Sequence, residues 1–440
     1  MNFEQRLKSV IPGGAHTYSR GSDQFPSNAP QILTRGRGAF IFEPGGKKWL
    51  DYGMGLRSVA LGYGNHSVIR AAKREMNRGL NLTRPSVTEL MSAEMVVDLI
   101  PSVEMVKFTK NGSTAVTAAL KLARAFTGRQ KVMVCRQHPF FSFDDWFIGA
   151  TQISKGVPES YRGDVIYFDY GDIEGIRQTL NRNKGEVAAI LLEPSTDVGP
   201  SPGTDTFLPS VNNFLTDVQA ECRADGSLLI LDEMLTGFRL GFPGAQSRFC
   251  VTPDLTTFGK AIANGFPLAF VGGRKDIMDQ GGIDVPGQER LFLLSTTHGG
   301  EMASLGAMIS TVKQMEKKSV PEYLESYGSS LIESANSIAK SFDIEDNIKF
   351  YGSGSSPYYS VLGEGGENDL PLRTLFAQEM ASNGVLMPWI ALSHSHGSSE
   401  MRRTMSALEK SMKVVKKALT HGVDNFLLGP AIKPVFRKFN

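Results

Sequence analysis

Cysteine is scarce in this 440-residue chain: Cys135, Cys222 and Cys250, an odd number without C-x-x-C spacing. That usage fits a reducing, cytoplasmic setting and gives no basis for a disulfide framework or a zinc site. An excess of one charge is lacking too. Lys+Arg 47 against Asp+Glu 45 leave a net +2, far from the basic footprint of a nucleic-acid protein. Long hydrophobic runs are missing, since Val187–Leu192 and Leu228–Leu231 fall well short of a membrane span. Met1–Ser9 mixes Glu4, Arg6 and Lys8 with apolar residues and does not read as a signal peptide. No fixed-period repeat is visible, which removes solenoids and propellers.

Several catalytic motifs are absent as well. No G-x-x-x-x-G-K-[ST], G-x-G-x-x-G or H-E-x-x-H occurs, so a P-loop, a dinucleotide fingerprint and a zinc protease have no support. Gly199–Gly203 spells G-x-S-x-G. Its Pro202 lacks the N–H that an oxyanion hole takes from the residue after the nucleophile, so this stretch reads as a loop. The seven histidines are scattered, and His394 with His396 lacks a third ligand nearby.

What is present is the balance of a folded enzyme or binding protein, 41% apolar and 21% charged, long enough for two or three domains. Short apolar runs at Met105–Thr109, Lys131–Cys135, Val187–Leu192, Leu228–Leu231 and Leu268–Val271 alternate with helical periods such as Val116, Ala119, Leu120 and Ala123. Continuous apolar strands separated by helices predict an α/β fold with a mostly parallel sheet between helices. After about residue 300 the pattern turns to helices, Met302–Glu316 and Pro321–Phe342, followed by short strands. A smaller α/β domain is expected there, joined by the N-terminal segment with its hairpin at Gly38–Asp51. The expected division is 1–52 with the small domain, 53–300 as the large domain and 301–440 as the C-terminal small domain. The basic stretch Met401–Asn440 reads as a solvated helix face, because Met401, Met405, Leu408, Met412, Val415 and Leu419 recur at steps of four and three.

In such sheets the chemistry gathers beyond the carboxyl ends of the strands, where Gly112-Ser113, Glu193 and Asp232 fall. Asp232 precedes by 28 residues a lysine, Lys260. Pyridoxal phosphate requires a lysine amine, a carboxylate for its ring nitrogen and a helix N-terminus for its phosphate. Each has a candidate here, although spacing alone does not select that cofactor over a surface lysine.

The stretches Leu231-Asp232-Glu233-Met-Leu-Thr-Gly237-Phe-Arg239 and Pro253-Asp-Leu-Thr-Thr-Phe-Gly259-Lys260 closely resemble the class III pyridoxal-phosphate aminotransferases, most of all the glutamate-1-semialdehyde 2,1-aminomutase group. Ile11–Gly14, Tyr52–Leu56, Gly112–Ala115, Ser295–Gly300 and Gly384–Pro388 extend the resemblance along almost the whole chain. It implies fold type I and a homodimer with shared sites. It makes Lys260 the Schiff-base lysine and general base, and Asp232 the partner of the pyridine nitrogen. Met234 would pack on one ring face, Gly112 and Ser113 would hold the phosphate, and Thr297 would reach the phosphate of the partner subunit. Phe140 falls where the family stacks a Tyr or Phe, Glu193 lies close behind the cofactor, and Arg20 lines up with the arginine for a substrate carboxylate. Plainer readings stand beside these: core packing for Phe140, loop roles for Glu193 and Thr297, a surface charge for Arg20.

The implied activity moves an amino group from a donor, glutamate among the candidates, to a carbonyl-bearing small molecule. The intramolecular aminomutase is the alternative, and a cofactor binder without turnover is the rival from another class. The chain departs from the family at Phe140-Phe141-Ser142, Thr114, Thr196-Asp197 and Glu301. A lost His and Glu with a gained Asp197 and Glu301 imply a pocket that neutralises different charges, and a substrate other than glutamate 1-semialdehyde. No arginine lies near Met387–His396 in sequence, where many relatives clamp an α-carboxylate, a task for which arginine is the preferred residue.

Overall fold

Strands form where aliphatic and β-branched runs are bounded by glycine and polar turns. The computed structural model describes residues 1–195, 214–284, 286–363 and 365–440. In chain order its strands are β1 (Arg35–Arg37), β2 (Phe40–Phe42), β3 (Lys48–Asp51), β4 (Met105–Thr109), β5 (Lys131–Cys135), β6 (Val165–Phe168) and β7 (Val187–Leu192). They continue with β8 (Leu228–Glu233), β9 (Leu255–Phe258), β10 (Ala269–Gly273), β11 (Ile348–Ser353), β12 (Ser356–Val361) and β13 (Val385–Leu386). The described residues divide into two units, Met1–Asn65 with Glu322–Arg437 and His66–Pro321 with Lys438–Asn440.

The larger unit carries a seven-stranded sheet in the order β4-β10-β9-β8-β7-β5-β6. Strands β9, β8, β7, β5 and β6 run parallel, while β10 is antiparallel to both β4 and β9. The sheet is thus mostly parallel with one reversed strand. Every residue of β7 and β8 is buried, the mark of a sheet covered on both faces. Alternate residues divide between two cores. Ala189, Leu191, Leu228 and Ile230 join Val116, Ala119, Leu120 and Ala123 of the helix Gly112–Thr127. Ile190, Leu192, Leu229 and Leu231 join Ile176 and Leu180 of the helix Ile173–Arg182, with Leu215 and Val218 of the helix Phe214–Asp225.

Strands β6 and β9 escape a reading of apolar runs. β6 is an edge strand and mostly half-buried, and β9 is only Leu-Thr-Thr-Phe, although wholly buried. The Gly272-Gly273 end of β10 answers to close packing, because a Cβ on Gly273 would lie 2.4 Å from the Asp254 carbonyl oxygen.

The smaller unit contains the sheet β1-β2-β3-β13, the hairpin β11-β12 and the long helix Ser398–His421. On that helix Leu408, Met412 and Val415 are buried, as the periodicity requires. The unit boundaries fall at Asn65 and Pro321, where 52 and 300 were expected. The helix Met302–Lys317 belongs to the larger unit because it lies against the helix His66–Met76: a Cβ on Gly306 would come within 2.6 Å of Glu75 Cγ.

Ile190, fully buried at the sheet centre, offers a direct check of this core. Ile190→Ala should lower the unfolding free energy of the larger unit by about 2–5 kcal/mol in denaturant titration, the usual cost of truncating a core aliphatic side chain.

Candidate active site

The parallel strands end along one edge of the sheet, and five of the sequence candidates follow those ends. Gly112 and Ser113 come after β4, Phe140 after β5, Glu193 after β7 and Lys260 after β9, while Asp232 lies at the end of β8. Strand register brings two of them together. Asp232 pairs with Thr257, three residues before Lys260, and its carboxylate feels the Lys260 charge.

Asp232 is buried. Its Oδ1 accepts the Met234 N–H at 2.9 Å and the Thr257 hydroxyl at 2.9 Å, and Oδ2 has no hydrogen-bond partner among the described residues. Burial raises the carboxyl above its ordinary range, against the Met234 N–H, the Lys260 charge and the Thr257 hydroxyl. Lys260 itself has φ +44°, the left-handed region that side chains other than glycine seldom occupy. It opens a short turn, Lys260–Ala263. Strain of that kind persists where surrounding structure holds it and gathers at functional sites.

Glu233, next to Asp232, points to the other face of the strand, as the pleat demands. It accepts the Thr236 hydroxyl at 2.9 Å, the Ala245 and Gln246 N–H groups at 2.7 and 3.0 Å, and Gln246 Nε2 at 3.1 Å. One carboxylate of the pair is therefore structural and saturated, and the other keeps an oxygen open.

The helix Gly112–Thr127 is capped by Asn111, whose Oδ1 accepts the Thr114 N–H at 2.8 Å. The Gly112 and Ser113 N–H groups find no acceptor among the described residues, so the first turn presents two donors to an anion. The Ser113 hydroxyl is occupied, accepting the Phe143 N–H at 3.1 Å. Met234 packs between two glycines. A Cβ on Gly112 would lie 2.9 Å from its Sδ and one on Gly259 would lie 2.5 Å away. Both glycines are needed to let the thioether reach the helix start and the lysine turn together.

Phe140 is 44% exposed and meets Phe147 edge-on at 6.2 Å, so its ring is not committed to the core. Thr297 is exposed, and its carbonyl accepts Asn81 Nδ2 at 3.1 Å. Arg20 belongs to the smaller unit and is exposed, without an ion pair among the described residues. It lines a cavity of ≈ 620 Å³ with Asp51, Tyr63 and Trp389. Thr196, Asp197 and Gly199–Gly203 lie outside the described residues.

Other residues escaped the sequence reading. His138 is buried and bridges the end of β7: Nδ1 accepts the Glu193 N–H at 3.1 Å, and Nε2 donates to the Ser195 carbonyl at 3.1 Å. The Tyr170 hydroxyl donates to the Pro194 carbonyl at 2.8 Å. Two aromatic side chains thus clamp the backbone of Glu193–Ser195. Although no arginine lies near Met387 in sequence, Arg373 comes close to that segment in space and donates to the Pro388 carbonyl at 3.4 Å. Glu301, expected to alter the charge of the pocket, is taken up by Lys110 at 2.9 Å and by capping the helix Met302–Lys317. His396 is buried, with the Ser393 N–H donated to its Nδ1, and no metal-ligand cluster occurs among the described residues.

The model of the class-III aminotransferase family matches residues 20–354. The chain belongs to this family. Its members are pyridoxal-phosphate enzymes that move amino groups, and an Asp232 oxygen with the Gly112 and Ser113 N–H groups, unpartnered among the described residues, would fit a ring nitrogen and a phosphate. The aminotransferase is 28% identical over 431 residues to a glutamate-1-semialdehyde 2,1-aminomutase of Francisella philomiragia, covering 93% of this chain and 96% of that one. It is 29% identical to the enzyme of the same name from Alkaliphilus metalliredigens, covering 94% and 98%. Among solved structures, the FumI protein of Sphingopyxis sp. MTA144 in its PLP internal aldimine form superposes with TM-score 0.83 at 22% identity, over 95% of this chain and 96% of that one. An omega-transaminase from Sphaerobacter thermophilus does so with TM-score 0.82 at 22% identity, over 94% and 97%. These two likenesses establish the fold. No helix of the described residues is long and apolar enough to cross a membrane.

Burial pushes the His138 imidazole down to about 4, below an unfolded value of about 6.5. A base depressed in the folded state contributes stability that is complete above its unfolded value and is lost as pH falls from there towards the folded one. Between pH 7 and 4.5 this group should remove roughly 2–3 kcal/mol. Denaturant titration of His138→Gln across that range should show a correspondingly flatter pH slope.

Proposed function

We propose that the chain binds pyridoxal phosphate at the carboxyl edge of the seven-stranded sheet and passes an amino group from a donor, glutamate being the first candidate, to a carbonyl-bearing small molecule. The observation that carries this reading is the buried Asp232 carboxylate, open on one oxygen and within the field of Lys260. Bound there, the cofactor supplies an aldehyde that takes up amines and a ring that draws electrons from the adjacent carbon.

The rest is the work of the chain. Lys260 Nζ would hold the cofactor and, when not engaged with it, would be the base that removes and returns the substrate proton. Asp232 Oδ2 would pair with the positive ring nitrogen and hold its proton in place. The Gly112 and Ser113 N–H groups take the phosphate, reinforced by the helix dipole. Met234 and Phe140 would be the residues to pack on the ring, while His138 and Tyr170 hold the Glu193 segment. Arg20, which the resemblance gives as the residue for a substrate carboxylate, lies in the smaller unit. The neutralisation of Glu301 by Lys110 leaves less reason to exclude an anionic substrate. Together with the names of the curated relatives, this favours as second reading an intramolecular 2,1-aminomutase.

Homodimerisation belongs to the same proposal. The helix Val87–Leu99 exposes Val87, Leu90 and Met91 at 72, 58 and 49%, an apolar stripe suited to a second copy. Thr297 is exposed, as a residue that completes the partner's phosphate site would be before assembly.

Added pyridoxal phosphate should give a visible absorption band that a competent amino donor removes. Before any donor is added, borohydride should fix the cofactor to the wild type and not to Lys260→Ala. Asp232→Asn should slow donor conversion by roughly a hundredfold, on the scale of losing a buried electrostatic partner. No band, or equal fixation in the lysine variant, would sink the reading. Conversion of glutamate 1-semialdehyde to 5-aminolevulinate with no added donor or acceptor marks the mutase, and turnover that needs a separate amino donor and carbonyl acceptor marks transfer. Leu90→Glu with Met91→Glu should halve the mass seen by light scattering.

A further inference from the structure

Lys110 and Glu301 come from distant parts of the larger unit, and neither belongs to the constellation above. Lys110 lies between β4 and Asn111, the cap of the helix whose first turn carries Gly112 and Ser113. Glu301 stands four residues after Thr297, at the head of the helix Met302–Lys317. Their charged atoms are 2.9 Å apart, and the side chains retain 21% and 12% of their exposure. The Glu301 carboxylate also accepts the Ala303 N–H at 2.7 Å and the Ser304 hydroxyl at 2.7 Å. It is therefore held from two sides and cannot follow Lys110 if that residue moves.

The segment before it is tied down independently. Asn81 Nδ2 reaches the Thr297 carbonyl at 3.1 Å, and the Met302 N–H reaches the Leu80 carbonyl at 2.8 Å. None of those bonds touches the Gly112 turn. Among the described residues the ion pair is the polar link between that turn and the Thr297 loop. A partly desolvated pair of this kind fixes geometry more reliably than an exposed one, because releasing either partner leaves a half-buried charge unpaired.

We propose that the Lys110–Glu301 ion pair is a positioning joint for a phosphate monoester, locking the turn that donates the Gly112 and Ser113 N–H groups to the loop that presents Thr297. This rests on the reading of the site given above. In the dimer that reading requires, the turn serves one chain's own cofactor and the loop serves its partner's, so the joint couples the two phosphate sites. Neither residue touches the ring or the reacting atoms, and its loss is felt through the phosphate.

The test compares pyridoxal phosphate with pyridoxal, which lacks the phosphate, by absorbance titration of the apoprotein. Lys110→Met preserves the Glu301 cap, Glu301→Gln preserves a capping oxygen, and Lys110→Arg preserves the charge. Lys110→Met and Glu301→Gln should each weaken pyridoxal phosphate roughly tenfold and leave pyridoxal within about twofold, and the double variant should be no worse than either. Lys110→Arg should stay near the wild type. Pyridoxal binding also serves as the check that each variant is folded. Equal weakening of both ligands, or unchanged affinity for pyridoxal phosphate, would overturn the joint. A wild type that takes up pyridoxal phosphate without any contribution from Lys260 would instead overturn the reading on which it rests.

Discussion

A buried carboxylate is the constraint around which the larger unit is organised. Asp232 continues a strand of four aliphatic residues, Leu228–Leu231, so the chain carries a negative charge to the edge of a core that is apolar on both faces. Taking such a group out of water costs several kcal/mol. It is tolerated because the Met234 N–H, the Thr257 hydroxyl and the Lys260 charge each work against the protonation that burial favours. All three come from the loop after β8, from the neighbouring β9 or from the turn that follows β9, so the charge depends on β8 and β9 lying side by side and parallel.

The pleat then gives two adjacent acids opposite tasks. Glu233 turns to the far face and is consumed by four hydrogen bonds, two of which hold the Ala245–Gln246 backbone. Asp232 turns to the face covered by the helix Gly112–Thr127 and keeps an oxygen available. Chemically the residues are nearly equivalent, and what separates them is a 180° alternation along a strand. The same economy holds at Met234, which reaches both the helix start and the lysine turn only because Gly112 and Gly259 have no Cβ.

Rigidity at this edge comes from side chains that do no chemistry. His138 and Tyr170 hold three successive backbone groups from Glu193 to Ser195, and the Lys110–Glu301 pair holds two segments that sequence keeps 191 residues apart. Each is buried or half-buried, where an unmade bond is expensive. That expense is what makes such groups effective at fixing a loop.

The sequence by itself determined the class of fold and the family. Apolar runs at β4, β5, β7, β8 and β10, the helix after Gly112 and the Asp232-to-Lys260 spacing are local or motif-bound features, and local features are what a linear pattern records. It did not reveal β9, where Leu-Thr-Thr-Phe is a strand only because neighbours on both sides bury it, nor the reversed direction of β10. It could not tell that Glu301 would be neutralised by Lys110, that Arg373 would reach Pro388, or that His138 would clamp the Glu193 segment. Those are encounters between residues far apart in the chain, and only tertiary packing decides which distant charge or backbone group a side chain meets once water has been excluded.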